Sequence, residues 1–110
     1  MSVLHEQQCE ACRADAPRLN DGEIQELLPE IPKWEVVRHD NIPVLTRQYS
    51  FKNFADALAF TQSVGELAEE YQHHPALTTE WGKVKVEWWT HKIEGLHRND
   101  FVMAAKTDKL

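Results

Sequence analysis

The chain has no apolar run approaching the ~20 residues of a membrane-spanning helix, and no cluster of lysine and arginine along any expected face. Its 110 residues carry 12 basic and 18 acidic side chains, a formal charge of −6 at pH 7. Phosphate backbones are held by concentrated positive charge, so nucleic-acid binding by the bare surface is excluded. The opening Met1-Ser2-Val3-Leu4-His5-Glu6 has neither the basic start nor the apolar centre of a secretory signal, and a cytoplasmic protein is expected. There is no Gly-rich phosphate loop and no low-complexity tract, and Ser50 and Ser63 lack a nucleophile's context.

Cysteine is equally sparse. The two present are close together, in Cys9-Glu10-Ala11-Cys12. Such a pair serves as a redox dithiol, half a zinc site or two ordinary thiols. No strand precedes it, as a thioredoxin-like motif requires, and His5 supplies at most one further zinc ligand. Residues 1–18 are polar and without sustained periodicity, so they read as an unliganded arm, with a zinc site using Cys9, Cys12 and a histidine as the alternative. Residues 19–110 then form a single domain, small enough for self-association to supply additional buried area.

Within that domain, Asn20-Asp21-Gly22-Glu23 has the form of a capping box before Ile24, Leu27 and Leu28, and Pro29 and Pro32 stop the segment. Trp34–Val37 and Val44–Phe51 flank the turn residues Asp40-Asn41 as a hairpin. Asn53 caps a long helix whose Phe54, Ala57, Leu58, Thr61, Val64, Leu67, Ala68 and Tyr71 recur at spacings of three and four. Pro75 ends it near Gln72 or His73. A second hairpin turns at Trp81-Gly82, and its return strand is expected to run from Lys83 to Thr90-His91. There Val84, Val86, Trp88 and Thr90 share the core face, while Lys85, Glu87, Trp89 and His91 share the open face. A helix over about 98–106 closes the chain. The class is therefore α+β, a four-stranded antiparallel sheet with helices on one face in the order α-β-β-α-β-β-α.

The chemistry-bearing residues are histidines at the end of the long helix, in Glu69-Glu70-Tyr71-Gln72-His73-His74-Pro75, together with Thr90-His91. Imidazole both gives and takes protons near neutral pH, which suits an acid–base lyase. The helix C-terminus and Glu69, one turn before His73 on the same face, both favour a protonated His73 ring. His74 lies ~100° further round and is expected to do a different job. A hairpin returns its second strand to its start, so His91 is expected beside the His73-His74 corner. The alternatives are a helix terminator beside a solvated strand-end histidine, or a zinc site, although the spacing matches no His-x-His or His-x-x-x-His pattern. His5 and His39 read as exposed, His97 sits where a helix cap belongs, and Trp88 reads as core.

Glu69-x-x-x-His73-His74-Pro75, Gly82-Lys83-Val84, Thr90-His91, Gly95-Leu96 and Asp100 together resemble the pterin-4a-carbinolamine dehydratases. Cys9-Glu10-Ala11-Cys12-Arg13 and Leu96–Phe101 are similar to the bacterial branch associated with phenylalanine hydroxylase. The resemblance implies dehydration of 4a-hydroxytetrahydrobiopterin to quinonoid dihydropterin, which recycles the hydroxylase cofactor without a metal or redox group. It implies His73 and His91 as the acid–base pair and His74 as a pterin ligand with a share in proton transfer. Glu69 would hold a histidine in its working state, and Thr90, Trp89 and Arg98 would be further pterin contacts. Gln72, Leu77 and Asn99 depart from the animal pattern, which has aspartate, tryptophan and arginine there. A homodimer or homotetramer is expected, since the edge strands of the sheet and the long helix each offer a route to pairing, and the resemblance makes phenylalanine hydroxylase a candidate partner. A second function class is a non-catalytic binding module that regulates a hydroxylase or a transcription factor.

Overall fold

A computed structural model describes residues 18–110; His5 and the Cys9/Cys12 motif lie outside the described residues. Helix α1 (Asp21–Leu27) begins with a reciprocal cap. The Asn20 side chain accepts the Glu23 N–H at 2.9 Å, and Glu23 Oε1 accepts the Asn20 N–H at 2.9 Å. Ile24 and Leu27 are buried, and a 3-10 turn holding Pro29 ends the segment. Strands β1 (Glu35–His39) and β2 (Ile42–Ser50) meet at Asp40 and Asn41, both left-handed at φ 52° and 68°. That two-residue turn matches the twist of paired strands. Pairing therefore runs up to His39↔Ile42, further toward the turn than the apolar pattern alone indicated.

Helix α2 (Phe54–Tyr71) starts at Asn53, whose side chain accepts the Asp56 N–H at 2.8 Å. Strands β3 (Ala76–Glu80) and β4 (Lys83–Trp88) turn through Trp81 and Gly82, the latter at φ 74°. The expected continuation of β4 to Thr90-His91 is not observed. The Thr90 N–H donates to the Gly95 carbonyl at 2.9 Å and the Gly95 N–H returns to Thr90 at 3.4 Å, closing a small loop instead. Inside that loop His91–Ile93 form a 3-10 turn. Helix α3 (Arg98–Thr107) follows, with His97 as its cap.

The sheet order is β1-β2-β4-β3, every pairing antiparallel. Register sets Leu45, Arg47 and Tyr49 of β2 against Trp88, Val86 and Val84 of β4, so these side chains share one face. The helices pack there: Phe60 of α2 lies against Tyr49 and Phe51, and the Trp88 indole donates to Thr107 of α3 at 3.2 Å. Trp88 is fully buried, as expected of a core residue. The long apolar stripe of α2 divides. Ala57, Val64 and Ala68 enter the core, while Phe54 and Leu58 stay 43% and 52% exposed. Burying such side chains is worth about 1.5–3 kcal/mol each, so that benefit is not collected within this single chain. Among the described residues, no helix is long and apolar enough to cross a membrane.

Candidate active site

The end of α2 decides where the adjacent histidines point. Gln72 takes a left-handed conformation, φ 52°, and its N–H returns to the carbonyls of Ala68 and Glu69. The His73 N–H also returns to Ala68, at 3.1 Å, and the Gln72 side chain bonds the Glu69 carbonyl at 2.6 Å. This chain reversal turns His73 inward and His74 outward: His73 is 3% exposed, whereas the His74 side chain is 55% exposed.

Each ring has a carboxylate partner. His73 Nε2 lies 2.6 Å from Asp100 Oδ1, and His74 Nε2 lies 2.6 Å from Glu69 Oε1. The expected pairing of Glu69 with His73 is thus corrected. After the reversal at Gln72 the ring within reach of Glu69 is His74, and His73 faces the start of α3. A carboxylate only accepts, so each pairing places the hydrogen on Nε2 and fixes the ring's orientation.

Asp100 is the hub of the buried side. It is fully buried, and its second oxygen accepts the Thr90 hydroxyl at 2.8 Å and the His97 N–H at 2.9 Å. His97 completes the cap by accepting the Asn99 N–H on Nδ1 at 3.1 Å. Asp100 therefore joins α3's capping box, the Thr90 loop and the end of α2 in one network. His73 also stacks on Trp88, ring centroids 5.8 Å apart. The site is tied directly to the core.

A cleft of about 180 Å³ opens at this corner, lined by Gln72, His73, His74, Trp89, Thr90, His91 and Lys92. His91 stands at its rim, exposed, with its ring stacked on Trp89 at 4.3 Å and 14° between planes. The hairpin return thus does bring His91 beside the His73-His74 corner, from a 3-10 turn rather than from a strand. Glu69 reaches the cleft through His74. Arg98 opens α3 half-buried and is not among the lining residues. Asp100, Gln72 and Lys92 were not singled out as site residues. The signal for Asp100 was its place three residues after His97, the capping-box position of α3. Among the described residues, no group of three or more His, Cys, Asp or Glu is arranged to hold a metal ion. The His39 side chain, expected to be exposed, is 56% exposed but also bonds Glu87 at 2.8 Å, outside the cleft lining.

A cleft edged by three imidazoles, two of them oriented by carboxylates, is equipped to move protons on a small bound molecule. A family model described as pterin 4 alpha carbinolamine dehydratase matches residues 17–110. A protein of Saccharophagus degradans, provisionally named a pterin-4-alpha-carbinolamine dehydratase, is 58% identical over 110 residues, all of this chain and 97% of the relative. A protein of Nitrosococcus oceani with the same provisional name is 56% identical over the same spans. Among solved structures, a transcriptional coactivator/pterin dehydratase from Brucella melitensis superposes with a TM-score of 0.77 at 31% identity, over 84% of this chain and 97% of that one. A pterin dehydratase-like RuBisCO assembly factor of the alpha-carboxysome superposes at 0.59 over 70% of this chain and 87% of its own. At 20% identity it shares the fold alone.

Proposed function

The chain belongs to the pterin 4 alpha carbinolamine dehydratase family, and from that premise we propose that it dehydrates a 4a-hydroxytetrahydropterin to the quinonoid dihydropterin, recycling the cofactor of aromatic amino-acid hydroxylases. The hydroxyl on C4a takes up a proton and leaves as water, while a ring N–H proton is lost to a base. One proton goes on and one comes off, so the reaction needs no redox cofactor or metal.

The observation that carries this reading is the gathering of His73, His74 and His91 around one small cleft. His74 is assigned the acid role, since it lines the cleft at an exposed position with its ring bonded to Glu69. His91, at the rim, is assigned the base role. His73, its Nε2 committed to buried Asp100, is assigned to hold the pterin ring rather than to shuttle. Thr90 acts through Asp100, to which its hydroxyl donates. The residues supporting pterin contact are then His73 and His74; the face of Trp89 is taken up by the His91 ring, and the position of Arg98 gives it no such support.

The test is the dehydration rate of freshly generated 4a-hydroxytetrahydropterin, followed by absorbance. The His74→Ala/His91→Ala double variant removes two exposed rings and should keep its fold. Each general acid or base contributes about 10²–10⁴-fold, so turnover should fall to the uncatalysed rate. Full turnover in that variant sinks the assignment.

Self-association as a dimer or tetramer belongs to the same proposal, supported by Phe54 and Leu58 standing exposed on one helix of a small domain. Sedimentation velocity should give two or four times the 12.8 kDa chain mass; a monomer at micromolar concentration contradicts it. The same exposed pair, with a relative named a transcriptional coactivator, favours a second reading as a protein-binding module. Well-folded protein without dehydratase activity would put that reading first, with the hydroxylase or a transcription factor as candidate partners.

A further inference from the structure

The three imidazoles of the cleft are not held alike. His73 and His74 each give one nitrogen to a carboxylate at 2.6 Å. The His91 ring has no such partner among the described residues; what it has is the face of Trp89, 4.3 Å away and within 14° of parallel. We infer that Trp89 is the positioning residue of His91, orienting its ring by stacking where the other histidines are oriented by carboxylates. The catalytic consequence of this inference rests on the dehydratase reading above.

The difference between a carboxylate and an indole is chemical. A carboxylate orients an imidazole by consuming one nitrogen and fixing which tautomer is present. A stacked indole restrains the tilt of the ring and touches neither nitrogen. His91 can therefore accept a proton from a substrate N–H on one nitrogen and release a proton to water from the other. His74 recovers its own proton from solvent, so the pair resets after each turnover with no net change.

Without the indole, an exposed histidine samples its other rotamers, and the productive geometry is populated only part of the time. Trp89 is well placed to prevent this. It is half-buried and packed against the core, one residue beyond β4 and one before Thr90, which is tied to Asp100. A rigid wall on one side and the closed Thr90–Gly95 loop on the other leave His91 little freedom.

The experiment compares Trp89→Leu and Trp89→Phe with the parent by two readouts. In NMR spectra the His91 ring protons should be shifted upfield by the indole ring current. They should move toward free-imidazole positions in Trp89→Leu and keep part of the shift in Trp89→Phe. In steady-state kinetics with 4a-hydroxytetrahydropterin, Trp89→Leu should lower kcat by about tenfold to a hundredfold at unchanged KM. Trp89→Phe should recover most of it, and Trp89→Leu should cost nothing further in a His91→Ala background. Unshifted His91 resonances in the parent, or a raised KM with kcat intact, overturn the inference; the second result would make Trp89 a substrate platform. The NMR readout needs no turnover, so a parent without dehydratase activity would defeat the functional reading and leave this inference decided on its own.

Discussion

Replacing Asp100 with alanine is expected to cost about 3–5 kcal/mol of unfolding free energy, since each buried donor left without its acceptor costs about 1–3 kcal/mol. Three donors lose their acceptor at once: the His73 ring N–H, the Thr90 hydroxyl and the His97 backbone N–H. None can turn to water, because His73, Thr90 and His97 are all under 8% exposed. Against a domain stability of about 5–15 kcal/mol the loss is a large share. It should lower the thermal midpoint by about ten degrees or more. Urea unfolding of the parent and Asp100→Ala would measure it. An unchanged midpoint would mean that the network is not the hub its geometry describes.

The same substitution separates stability from chemistry. Assayed in the cold, where the variant stays folded, Asp100→Ala should still dehydrate its substrate slowly, because the Nε2 tether of His73 and the Thr90 end of the His91 loop are both released. Coupling is testable through His73→Ala. The single His73 variant leaves a buried carboxylate short of a partner, whereas the double variant removes both members, so the double loss should be smaller than the sum. That burial is also why the exposed His74/His91 pair, rather than His73/His91, is the sounder probe of catalysis.

Much of this architecture was legible from local signals. The caps at Asn20 and Asn53 and the turns at Asp40-Asn41 and Trp81-Gly82 are decided by residues within a few positions of each other. Hairpin geometry was enough to send His91 back to the helix end. The partners of the histidines were not legible. One left-handed residue, Gln72, exchanges which ring faces Glu69, and glutamine gives no warning of that conformation. Asp100 lies 27 residues from His73 in sequence, and only tertiary packing joins them. Likewise, alternation continues past Trp88 in the sequence, but the Thr90–Gly95 closure competes with the ladder and wins. Helical spacing predicted an apolar face on α2 but could not tell how much of it the sheet covers, so Phe54 and Leu58 emerge exposed.

Asp108 is the other long-range hub, and its loss is the second large effect expected. Standing at the C-terminal cap of α3, it accepts the Trp34 indole N–H at 3.0 and 3.1 Å, the Arg47 guanidinium at 2.6 Å and the Tyr49 hydroxyl. One carboxylate thus ties the segment before β1 and the centre of β2 to the last helix. Asp108→Ala should cost about 1–3 kcal/mol, since three donors, that of buried Trp34 among them, lose a common acceptor at the partly open end of the sheet. The cluster also sets an alkaline limit. Burial, then the hydrogen bond and the negative charge of Asp108, push the Tyr49 phenol well above its usual range, with Arg47 opposing. The unfolded chain releases this proton above about pH 10 while the folded chain keeps it, so the unfolded state binds fewer protons there. The Tyr49 contribution is therefore whole below about pH 10 and declines as pH rises further. The slope is at most about 1.4 kcal/mol per unit, and less because Tyr49 is only half-buried and screened by solvent. Urea midpoints of the parent and Tyr49→Phe at neutral pH and at pH values above about 10 isolate the effect from the titrating lysines. The parent should lose stability faster than the variant on the alkaline side, and parallel curves would show that Tyr49 ionises as freely in the folded chain as in the unfolded one.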